Sequence, residues 1–249
     1  MGTSTARITN LNKIVIFVYQ LKQIYKTKQK HMYTKYDQWL NEANVNNLEG
    51  EDLLIAMGIK NYTLNADGTV DVKGDVHLIG KTLKSILVQF GIISGNFICS
   101  YNNLTSLKGS PIEVKGNFRC VGNKLTSLDG VPKIVGGDFY CADNKLTSLE
   151  GSPIEVKGDF NCGGNNLMTL QGSPKEVKGD FYCGDNTLTS LEGGPKEVKG
   201  NFYCGNNKLT SLQGAPKEVG GYFNCHKNSI KFTEEDVKEV SKVKGIIKV

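Results

Sequence analysis

Residues 95–128 read GNFICSYNNLTSLKGSPIEVKGNFRCVGNKLTSL, and one phrase occurs twice within them. Phe-x-Cys-x-x-Asn-x-Leu begins at Phe97 and again at Phe118, 21 residues later. Carried along the chain, that period takes in every cysteine: Cys99, Cys120, Cys141, Cys162, Cys183, Cys204 and Cys225. Phenylalanine stands two residues before each, from Phe97 to Phe223, and asparagine three after, from Asn102 to Asn228. Leucine follows from Leu104 to Leu209, with Ile230 closing that series, and a second leucine column runs from Leu107 to Leu212. All six prolines share one further column, Pro111 to Pro216. Self-similarity at a fixed period of this length predicts a solenoid in which each repeat is one coil.

The chemistry of a coil follows from its columns. Val-x-Gly-x-Phe-x-Cys alternates, which predicts a short strand with valine, phenylalanine and cysteine on one side. One coil alone has nothing to bury that side against. Parallel coils stacked about 4.8 Å apart bring Phe onto Phe and Cys onto Cys, and the files become a continuous core. Asparagine breaks the alternation where the chain turns, and it is expected to satisfy buried backbone groups that would cost about 1–3 kcal/mol each if unmet. Glycine and proline mark the next bend.

The cysteines are then small apolar core side chains. Seven is an odd number, no C-x-x-C pair suggests zinc, and in-register parallel side chains do not aim their sulfurs for a disulfide. A reducing, cytoplasmic setting is expected.

Val72–Leu78 precedes Ile93–Cys99 by 21 residues and keeps the inward pattern with valine for phenylalanine and leucine for cysteine. The expected organisation is therefore a basic leader outside the fold (1–31), a helical N-terminal cap (32–61), and a solenoid (62–230) of about seven 21-residue repeats behind a degenerate first coil. A helix-strand cap (231–249) follows, its helix starting at Thr233-Glu234-Glu235-Asp236 and ending at Gly245, with a last strand over Ile246–Val249. In the N-terminal cap, Tyr36–Ala43 and Glu51–Met57 have helix-forming composition and Gly58 is a stop; Trp39, Leu40, Leu53 and Leu54 are placed to cover the first coil. The apolar run Ile14–Tyr19, bracketed by Lys13 and Lys22, falls well short of the roughly 20 residues a membrane span needs.

Laid out as L-T-S-L-x-G-x-P-x-x-V-x-G-x-F-x-C-x-x-N-x-L, the repeat resembles bacterial-type leucine-rich repeats. More narrowly, it resembles the cysteine-bearing arrays found in tailed phages and environmental bacteria. The likeness covers about residues 72–230. It implies a leucine-rich-repeat-like solenoid with a parallel sheet on one face, used for protein recognition in a bacterium or phage-infected host. The chain departs from the wider family in placing phenylalanine where a core leucine stands and a glycine before it.

Function is expected on the outward strand positions. One column runs Asn96, Asn117, Asp138, Asp159, Asp180, Asn201, Tyr222, and the next Ile98, Arg119, Tyr140, Asn161, Tyr182, Tyr203, Asn224. Tyrosine offers contact area with a polar tip, so Tyr140, Tyr182 and Tyr203, with Asp138, Asp159, Asp180, Arg119 and Asn161, are the candidate contacts for a protein partner. A self-assembling structural or particle-associated protein is the alternative.

Other classes fit less well. Single carboxylates one coil apart make a poor metal cage. A net charge of +5 is modest, and Glu155, Glu176, Glu197 and Glu218 interleave the lysines, so nucleic acid is not expected. His31, His77 and His226 stand in unrelated contexts, and G-x-S-x-G, a phosphate loop and H-E-x-x-H are missing, so the expectation is a monomeric, non-catalytic protein without cofactor.

Overall fold

The structure is a computed structural model, and residues 51–249 are described; they form a parallel β-solenoid built from two sheets. The first sheet has ten strands, β1 (Tyr62–Leu64), β2 (Val70–Val72), Phe90–Ile93 and then two-residue strands from Glu113–Val114 to Lys242–Val243. The second has nine, from Val76–His77 through Phe97–Ile98 to Ile247–Lys248. All pairings are parallel except the hairpin β1–β2. Like pairs with like one repeat apart, Phe160 with Phe181 and Val177 with Val198.

The pattern predicts one strand per repeat, and the structure divides it in two. The break falls between valine and phenylalanine, where backbone hydrogen bonding reverses direction. On the valine side, the N–H groups of Lys115 and Gly116 donate to Ile93 and Gly95 of the preceding coil. On the phenylalanine side, those of Phe118 and Cys120 donate to Asp138 and Tyr140 of the following coil. Asn117, between them, turns both its N–H and its C=O to the preceding coil. Asp138 N–H in the next coil therefore finds no backbone carbonyl there, and Asn117 Oδ1 accepts it at 2.7 Å.

The core is a set of files. Consecutive rings from Phe97 to Phe223 have centroids 5.1–5.7 Å apart, and the valine, cysteine and leucine columns beside them are almost wholly buried. All seven thiols are free. Several donate weakly to the next coil, as Cys162 Sγ does to Tyr182 C=O at 3.2 Å. The buried asparagines bind coils together as expected. Asn144 Nδ2 donates to Cys120 C=O at 3.0 Å and Cys141 C=O at 3.2 Å, while its Oδ1 accepts Leu125 N–H at 3.1 Å.

Helix α1 (Glu51–Ala56) buries Leu53 and Leu54, and Gly58 (φ +76°) follows it as the predicted stop. The leader 1–31, the Tyr36–Ala43 helix, Trp39 and Leu40 lie outside the described residues. Helix α2 (Glu234–Val240) starts as predicted, with a reciprocal capping box between Thr233 and Asp236. It ends at Ser241, well before the predicted Gly245. The reason is one further degenerate coil: Val219 pairs with Val243 and Phe223 with Ile247, 24 residues on, so Gly245 is a coil corner and not a helix stop. No described helix is long and apolar enough to cross a membrane.

Candidate functional site

The outward column of the second sheet places Ile98, Arg119, Tyr140, Asn161, Tyr182, Tyr203 and Asn224 in register on successive coils. All are half-buried. Arg119 lays its guanidinium over Tyr140, with Cζ 4.7 Å from the ring centroid, and its Nη2 lies 3.5 Å from Asp138 Oδ2. Tyr182 and Tyr203 stack face to face at 4.5 Å and 5°. Tyr140 OH donates to Asp159 Oδ2 at 3.2 Å and Tyr182 OH to Asp180 Oδ2 at 2.7 Å. Burial, and then the neighbouring carboxylates Asp138 and Asp159, push the Tyr140 phenol up to about 12. Burial first, and then the Asp180 carboxylate, raise the Tyr182 and Tyr203 phenols.

Asn161 interrupts the strip. Its Oδ1 accepts Gly163 N–H at 3.0 Å, so the short side chain folds along the strand toward the following turn. The column therefore runs cation, ring, gap, ring, ring.

The predicted aspartates have a second occupation. Asp138, Asp159 and Asp180 each accept the backbone N–H of the equivalent residue one coil on through Oδ1, at 3.1, 2.8 and 2.7 Å. Only Oδ2 is left for the strip. This role was missed as a sequence expectation, although the glycine column just ahead of the aspartates carries its signature. A Cβ built at Gly158 would lie 2.3 Å from Asp138 Oδ1, closer than any side chain tolerates. Asp138 faces Arg119, whereas Asp159 and Asp180 have no cationic partner among the described residues.

No family model, no curated protein and no solved structure matches the chain. The site therefore rests on its own geometry. On the first sheet, the predicted lysine-glutamate compensation is seen at Lys178–Glu176 (2.6 Å), Lys199–Glu197 and Lys244–Glu218 (2.6 Å). Ile92 and Ile134 in these strands, and Ile112 and Ile154 just ahead of them, are also exposed, a feature that sequence columns of mixed Ile, Lys and Glu did not draw attention to.

Proposed function

We propose that the chain is a non-catalytic protein-recognition module of leucine-rich-repeat type, binding its partner across the outer strip of the second sheet. The observation that carries this is the pre-stacked aromatic-cationic column: Tyr182 on Tyr203, Arg119 on Tyr140, with two phenols held by carboxylates. Such side chains lose little freedom on binding, and tyrosine and arginine dominate the energetics of protein interfaces. The repeat's likeness to leucine-rich repeats supports recognition over catalysis. Under this reading the protein works without metal or cofactor, as a monomer in the cytoplasm of a bacterium or phage-infected host.

The test is partner capture from host extract by the parent and by a variant carrying Tyr140→Ala, Tyr182→Ala and Tyr203→Ala. The variant should lose the captured protein while keeping the parent's circular dichroism spectrum. Equal capture by both would overturn the assignment of this face.

Self-assembly is the second reading, and the exposed isoleucines favour it. Ile112 and Ile154 are 62% and 72% exposed just ahead of strands of the first sheet, in a column where the later coils carry Lys175, Lys196 and Lys217. Light scattering separates the two. A dimer or larger species that Ile112→Lys with Ile154→Lys converts to monomer supports self-association, and a monomeric parent removes it.

A further inference from the structure

The gap at Asn161 has the dimensions and surroundings of a missing rung. Tyr140 and Tyr182 stand two coils apart, about 9.6 Å at the usual strand spacing. A planar group at the level of Asn161 would lie one strand spacing, about 4.8 Å, from each flanking strand, with Tyr140 leaning toward it to reach Asp159. The strip already shows such contacts, at 4.7 Å for Arg119 on Tyr140 and 4.5 Å for Tyr182 on Tyr203. Charge distinguishes the planar groups that would fit. Arg119 pairs with the aspartate 19 residues ahead, Asp138. Translated by two repeats, the same arrangement puts a guanidinium over Asn161 and against Asp180. Asp159 and Asp180 carry no described cation, so the vacant rung lies in a negative stretch of the strip.

We propose that the rung between Tyr140 and Tyr182 receives an arginine side chain of the partner protein, stacked between the two rings and paired with Asp180. The inference rests on reading the strip as the partner surface and adds the chemistry of what enters it. Arginine is preferred over lysine because its plane matches the slot while one N–H reaches Asp180 Oδ2, which already accepts Tyr182 OH and Asn201 Nδ2.

The experiment titrates full-length protein with the blocked peptides acetyl-Gly-Arg-Gly-amide and acetyl-Gly-Lys-Gly-amide, observing the Asn161 side-chain amide and the Tyr140 and Tyr182 ring signals by NMR. The arginine peptide should bind about tenfold more tightly than the lysine peptide, as a desolvated cation–π contact with a paired carboxylate implies. Asn161→Tyr fills the rung and should abolish that binding while leaving the melting temperature unchanged or raised. Asp180→Asn keeps the Oδ1 acceptor, as Asn117 and Asn201 do natively, and should remove the preference for arginine without unfolding. Equal binding of the two peptides, or arginine binding that survives Asn161→Tyr, would overturn the proposal. If the peptides fail while the triple tyrosine variant still loses its natural partner, the recognition reading stands and only the arginine rung falls.

Discussion

Two asparagine-type columns, one buried and one at the coil corner, show how a single side chain links neighbouring coils. Removing the Asn144 amide orphans the buried Leu125 N–H and leaves Cys120 C=O with the Asn123 Nδ2 donor alone. Asn144→Ala should therefore cost about 1–3 kcal/mol in urea unfolding, the penalty of one unmet buried group. At the corner, Asp159→Asn should be nearly neutral and Asp159→Ala destabilising, because only the alanine leaves Asp180 N–H without its acceptor. The buried acids give the pH dependence. Burial raises the Cys99 thiol from 9.0 to about 12, and burial with Asp138 and Asp159 raises the Tyr140 phenol from 10.0 to about 12. Above 9.0 the unfolded chain gives up protons that the folded one retains, so stability is full below that pH and falls as pH climbs toward about 12. Urea unfolding across that range should show the decline, and Tyr140→Phe should remove part of it.

At the scale of the element, the period, the inward columns and the asparagine turn were legible because each is a statement about which residues face the core. The split into two sheets was not. Val114 and Phe118 are buried whether the chain between them runs straight or bends, so alternation alone does not separate the two cases. The information lay in Gly116 and Asn117, whose pairing makes sense once hydrogen-bond polarity reverses between them. Gly158→Ala tests this directly: the added Cβ meets Asp138 Oδ1 at 2.3 Å, so the variant should unfold at lower urea than the parent. Gly245 misled for a related reason, since a glycine after a helical stretch marks a stop and a coil corner alike. Within the strip, the tyrosines and Arg119 were legible from strand alternation, whereas their stacking and the dip at Asn161 depend on side-chain rotamers that spacing does not reveal.

For the molecule as a whole, stability is a sum over coils and the contacts between them. Deleting residues 135–155, one complete repeat, rejoins like columns and should leave a folded protein with a lower melting temperature. Deleting half as many residues throws every later file out of register and should abolish the fold. In-register stacking seals the thiols inside the solenoid, and mass spectrometry after brief maleimide treatment of the native protein tests that most directly. The six cysteines from Cys99 to Cys204 should remain unmodified, Cys225 in the last full repeat should react slowly, and all seven should react in guanidinium. Rapid native modification of Cys120 through Cys204 would contradict it.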